Sequence, residues 1–210
     1  MTHLDQFDAA FARCPLIAIL RGVKPGEVEP IGDALIAAGF TIIEVPMNSP
    51  DPLDSIARLA KRLEGRAVVG AGTVLRESDV DAVGAAGGTL IIAPNADTRV
   101  IAAAAARGYV ALPGIATPTE AFAALEAGAA ALKLFPAEAA SPAVLKAMRA
   151  ILPKGTRVLP VGGIVPGVLG EWRAAGAAGF GLGSALYAPG MGADEVGARA
   201  AAFVEALRVV

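Results

Sequence analysis

A lysine and a glutamate interrupt runs that are otherwise apolar. Lys133 sits between Leu132 and Leu134 in "AALKLFPAEAA", and Glu44 follows "TII" in "TIIEVP". Both runs are short and rich in aliphatic side chains, and the first stops at a proline, so each reads as a buried strand. A charge in such a strand costs free energy unless it is neutralised or used. A desolvated lysine has a lowered pKa and becomes an amine nucleophile, which suits Schiff-base formation with a carbonyl. That chemistry needs a proton shuttle. The only histidine, His3, lies near the N-terminus, so a carboxylate beside the lysine is the natural acid/base. The competing readings are a lysine snorkelling from a strand edge and a structural ion pair of Glu44 with Lys133 or Arg21.

Other polar residues stand at the ends of similar runs. Arg21 closes "AILRG", where a guanidinium suits a carboxylate through a bidentate contact, or caps the fold through a salt bridge. Thr73 ends "GAGT", a weak signal alone. "VGG" at Val161–Gly163 and "GLGS" at Gly181–Ser184 expose backbone N–H groups and one hydroxyl. Together these two loops point to a phosphate site at Gly162, Gly163, Gly183 and Ser184.

These residues need a scaffold that gathers strand ends. Runs with strand character recur regularly: Leu16–Leu20, Thr41–Val45, Ala67–Ala71, Thr89–Ala93, Tyr109–Leu112, Ala131–Phe135, Arg157–Val161 and Gly179–Gly183. Between them lie Ala- and Leu-rich stretches of helical character. Several of these end in glycine: Gly39, Gly87, Gly108, Gly128 and Gly176. Eight β–α units with apolar strands predict a parallel sheet covered by helices, and eight is the number that closes a (β/α)8 TIM barrel. An open doubly wound sheet is the alternative. The first dozen residues predict an extra helix before the first strand. No linker or charge block divides the chain, so one barrel domain over residues 1–210 is expected.

The 210 residues are 55% apolar and 18% charged, which favours a large core or surface hidden by self-association. A net charge of −2 makes nucleic acid and anionic membrane poor partners. One cysteine, Cys14, excludes an intrachain disulfide and, without an internal histidine to pair with, is a poor nucleophile. No apolar run is long enough for a membrane span, and the acidic N-terminus is no signal peptide, so a cytoplasmic location is expected.

The motifs "AILRG", "IIEVPMNSP", "GAGTVL", "APN", "PGIATPTEA", "ALKLFPA", "PVGGI" and "GLGSALY" occur in order between about Pro15 and Phe203. They resemble the bacterial class I aldolases of 2-keto-3-deoxy-6-phospho sugar acids, the family of 2-dehydro-3-deoxy-phosphogluconate and -phosphogalactonate aldolases. The resemblance implies Lys133 as the Schiff-base lysine and Glu44 as the general acid/base. It implies Arg21 and Thr73 near the pyruvyl carboxylate, Pro94 and Phe135 lining the pocket, and phosphate on Gly162, Gly163, Gly183 and Ser184. It also implies a small phosphorylated sugar acid as substrate, no metal or other cofactor, and a homotrimer. In the gluconate branch of that family a Thr usually precedes the Gly-Gly pair, and an Arg usually lies four residues after the catalytic Glu. This chain has Val161 and Asn48 there, departures that look like the galactonate branch. The rivals are a phosphogluconate or 4-hydroxy-2-oxoglutarate aldolase, a phosphate-binding barrel enzyme without a Schiff base, and a non-catalytic phosphosugar-binding barrel.

Overall fold

The computed structural model describes residues 1–209. Thr2 caps the first helix, α1 (His3–Arg13), through a reciprocal capping box with Asp5. The box satisfies two N–H groups that a helix start leaves free. The extra N-terminal helix expected from the sequence is therefore present.

Nine strands follow among the described residues: β1 (Leu16–Ile19), β2 (Ile42–Pro46), β3 (Val68–Gly72), β4 (Leu90–Ile92), β5 (Val110–Leu112), β6 (Gly114–Ile115), β7 (Leu132–Leu134), β8 (Val158–Pro160) and β9 (Phe180–Leu182). The helices between and after them are α2 (Val28–Ala38), α3 (Pro52–Arg62), α4 (Glu77–Ala85), α5 (Thr98–Ala106), α6 (Pro118–Glu126), α7 (Pro142–Ile151), α8 (Leu169–Ala174) and α9 (Ala193–Arg208). Gly39, Gly87, Gly108, Gly128 and Gly176 all carry positive φ at or just beyond a helix C-terminus. That backbone region is cheap only for glycine.

A closed eight-stranded (β/α)8 barrel is not what forms. The strands make a curled six-stranded sheet, in the order β5-β4-β3-β2-β1-β9, and a separate three-stranded sheet, β6-β7-β8. The fold remains α/β, and every ladder is parallel. Two prolines sit at the breaks. Pro113 lies between β5 and β6 and offers no N–H, so the chain pairs with β4 before it and with β7 after it. Pro160 ends β8, and beyond it a single bridge, Val161 to Gly181, reaches β9. Isolated backbone hydrogen bonds still link the sheets, from Ala130 N–H to the Ala111 carbonyl and from Ala178 N–H to the Val158 carbonyl.

Strand alternation splits the core in two. One side chain set, Leu16, Ala18, Ile43, Val45, Leu132 and Leu134 among it, packs outward against helix residues such as Ile31, Ile56 and Leu145. The other set, including Ile17, Ile42, Val68, Leu90, Val110 and Leu159, fills the concave side together with Phe7, Ala10 and Phe11 of α1. Helix α1 thus covers the N-terminal ends of the strands, and the opposite ends remain open.

Candidate active site

Parallel ladders bring every strand C-terminus to one rim. Arg21 follows β1, Thr73 follows β3, Pro94 follows β4, Phe135 follows β7, Val161–Gly163 follow β8, and Gly183–Ser184 follow β9. Glu44 and Lys133 lie within β2 and β7.

Lys133 is 6% exposed although its neighbours Leu132 and Leu134 point to the outer core. Its Nζ lies 4.7 Å from the Phe135 ring centroid, within cation–π range. Burial disfavours the ammonium and pulls the pKa below the ordinary lysine range. The Glu44 carboxylate opposes that fall and the Arg21 charge adds to it. Glu44 is 1% exposed, and its Oε2 has no hydrogen-bond partner. Burial raises its pKa to about 7, against the pull of Lys133 and Arg21. The two groups line one small buried cavity, with Ile19, Ile92, Leu159 and Val161 around them. They are not clamped together: no Lys133–Glu44 ion pair within 4.0 Å occurs among the described residues. A lysine poised toward the neutral form and a carboxyl poised near neutrality are fit for nucleophilic addition and for two-way proton transfer.

At the mouth, Arg21 donates a 2.6 Å hydrogen bond to Oδ1 of Asn48. Both side chains are exposed, so the pair is available to a soluble anion. Below it, the Gly22 N–H donates to the Oγ of buried Ser49 at 3.0 Å, tying the β1 loop to the β2 loop. Thr73 is half-buried with φ 56°, a costly region for a β-branched residue. Pro94 and Phe135 are also half-buried. Gly114 packs so tightly on the Pro94 peptide that a Cβ there would strike it.

Val161 is 7% exposed and holds the single bridge to Gly181, so the two glycine loops leave adjacent positions on the rim. Gly162 and Gly163 have φ 108° and 62°, and Gly163 and Ser184 are exposed. Gly183 is half-buried, with open space where a side chain would be.

Two residues here escaped the sequence reading. Ser49 is one. Glu138 is the other, carried back over the Gly-Gly pair by the short 3₁₀ turn Ala137–Ala139. A Cβ on Gly163 would lie 2.8 Å from its Cγ, and one on Gly162 would collide with its carboxylate. The signal for Glu138 was its place in the same "LKLFPAEA" motif as Lys133.

A larger cavity, about 480 Å³, lies at the other pole between α1 and the N-terminal ends of β3 and β4. Gln6, Arg13, Glu64, Arg66 and Thr89 are in its wall. It lacks buried titratable groups, whereas the smaller cavity holds two, Glu44 and Lys133.

The family model described as "Aldolase: KDPG and KHG aldolase" matches residues 7–209. A probable 2-dehydro-3-deoxy-6-phosphogalactonate aldolase of Rhizobium meliloti (strain 1021) is 47% identical over 196 residues, covering 93% of this chain and 92% of the relative. The 2-dehydro-3-deoxy-6-phosphogalactonate aldolase of Escherichia coli (strain K12) is also 47% identical, over 93% of this chain and 96% of its own. A solved structure described as native KDPGal superposes with a TM-score of 0.92 at 47% identity, covering 94% of this chain and 96% of that one.

Proposed function

This chain belongs to the KDPG and KHG aldolase family, and from that premise we propose that it cleaves 2-dehydro-3-deoxy-6-phospho-D-galactonate to pyruvate and D-glyceraldehyde 3-phosphate through an imine on Lys133. The observation that carries the reading is a buried lysine with a depressed pKa sharing one cavity with a buried carboxyl of pKa about 7.

The neutral Lys133 Nζ adds to the C2 carbonyl carbon, and the resulting carbinolamine loses water to give an iminium. Glu44, ionised, takes the proton of the C4 hydroxyl. The electron pair of the C3–C4 bond then flows to the iminium nitrogen, an enamine forms, and glyceraldehyde 3-phosphate leaves as the aldehyde. Glu44, now protonated, returns a proton to C3. Water hydrolyses the new iminium and releases pyruvate and free Lys133. A carboxyl of pKa about 7 suits both halves of this cycle, since near neutrality it is as ready to accept as to donate.

In this reading Arg21, held by Asn48, and Thr73 take the substrate carboxylate. Pro94 and Phe135 wall the pocket, and the phosphate sits on Gly162, Gly163, Gly183 and Ser184. Val161 and Asn48, at the positions that separate the two branches, match the galactonate branch. The assembly is a homotrimer, in keeping with the 18% charged fraction.

Borohydride reduction in the presence of pyruvate tests the proposal. It adds mass to one peptide, the one holding Lys133, and Lys133→Arg loses both label and activity because a guanidinium stays protonated. Label on Lys146 or Lys154 instead would falsify the assignment. Side-by-side cleavage of the two C4-epimeric phospho sugar acids fixes the substrate, and sedimentation measures the assembly.

A further inference from the structure

Glu44 owes its place to a residue with no side chain. β2 and β3 pair with Glu44 opposite Gly70 and Pro46 opposite Gly72. Positions two apart on a strand share a face, so Glu44, Gly70 and Gly72 all look toward the concave side. Each glycine is there for a different reason. A Cβ on Gly70 would run into the Leu90 backbone, a packing constraint between strands. A Cβ on Gly72 would meet only the Glu44 carboxylate among its nearest atoms: it would overlap Oε2 and Cδ and lie 2.6 Å from Oε1. Gly72 has no left-handed φ, so its backbone does not require glycine. The bare Cα is a recess, and the carboxylate fills it.

We infer that Gly72 is a positioning residue: its missing side chain seats the Glu44 carboxylate against β3, at the depth where it serves the cavity shared with Lys133. This deepens the acid/base reading of Glu44 and rests on it. The charged groups that face the carboxylate are Lys133, from β7, and Arg21, after β1. The other residues of the shared cavity are uncharged. Any added bulk at position 72 therefore shifts Glu44 relative to both of its cationic neighbours and relative to solvent.

The test is Gly72→Ala. The extended backbone accepts alanine, so the variant is expected to unfold as cooperatively as the parent. Lys133 is untouched, so pyruvate remains trappable by borohydride. Exchange of the pyruvate methyl protons, which needs the seated carboxylate, is expected to slow by about 10²-fold, the scale of one general acid/base. Its pH profile is expected to move away from about 7. Glu44→Asp, one methylene shorter, clears the new methyl group. The double variant is therefore expected to lose less than the two single losses multiplied. Parental exchange with a parental pH profile in Gly72→Ala, while Glu44→Gln has lost exchange, overturns the inference. Full exchange in Glu44→Gln overturns the acid/base reading instead. Should Gly72→Ala not fold, Gly72→Ala with Glu44→Ala decides: recovery of folding supports the collision with Glu44, and continued failure sinks it.

Discussion

The Arg21 guanidinium and the Asn48 side-chain carbonyl meet at 2.6 Å across the mouth of the site. One donor of the guanidinium fork is spent on Asn48, which fixes the plane of the rest. We expect Asn48→Ala to raise the KM for pyruvate and for the sugar acid by roughly 3- to 10-fold, the scale of one hydrogen bond of about 1 kcal/mol. The kcat should change little, because the chemistry sits deeper. Unchanged KM in steady-state kinetics would show that Arg21 needs no such partner.

In the proposed mechanism Glu44 must be ionised to take the C4 proton, and its pKa is raised to about 7. Cleavage in the parent should therefore climb as pH rises through about 7. In Glu44→Gln the kcat should fall by about 10² to 10⁴, and that limb of the pH profile should vanish. A limb that survives in the glutamine variant assigns the titration to another group.

The same group links stability to pH. The native carboxyl holds its proton up to about 7, whereas a glutamate in the unfolded chain gives its proton up near 4.5. Between those values the native state binds more protons than the unfolded chain, so stability falls as pH rises through the window. Glutamine removes that slope. The Tm of Glu44→Gln relative to the parent should accordingly be higher at pH ~8 than at pH ~5, as measured by calorimetry. An equal difference at both would mean the carboxyl ionises without penalty.

The sequence is most informative where a residue's neighbours along the chain decide its state. Alternation alone separates Lys133 from Leu132 and Leu134, and the end-of-helix glycines mark where strands begin. Sheet closure is a different kind of property. It depends on each N–H finding a carbonyl across a gap, and Pro113 and Pro160 withhold theirs at the two seams. A rhythm of eight units does not register two missing donors. Contacts between distant segments are equally silent in one dimension. Glu138 lies over Gly162 and Gly163, and Gly72 makes room for Glu44. Both relationships exist only after β2, β3, β7 and β8 have been brought to one rim.

The Gly-Gly loop offers a selective test of phosphate binding. Gly163 has φ 62° and the Glu138 side chain close above it, so Gly163→Val both strains the loop and blocks approach to it. We expect kcat/KM for the phosphorylated substrate to fall far more than for its dephospho analogue, because binding energy at the phosphate supports the reacting centre. Equal losses for both substrates would move the phosphate elsewhere.

In the proposed reading, epimer choice turns on a side chain that cannot hydrogen-bond. The two sugar acids differ only at C4, whose hydroxyl lies on the bond that breaks. Val161 is 7% exposed and borders the cavity of Lys133 and Glu44. A site without a polar partner for that hydroxyl lacks the strongest means of rejecting the wrong epimer. Efficient cleavage of the phosphogalactonate derivative is expected, with the gluconate epimer accepted comparably or more weakly. Val161→Thr supplies a hydroxyl in nearly the same volume. It should shift the kcat/KM ratio toward the gluconate epimer by roughly 1–3 kcal/mol, the scale of one buried polar group. A parental preference for the gluconate epimer above about tenfold, or 1.4 kcal/mol, would contradict the galactonate reading outright. If the parent behaves as expected but Val161→Thr leaves the ratio unchanged, Val161 does not decide the epimer, and Asn48 is the remaining difference between the two branches to test.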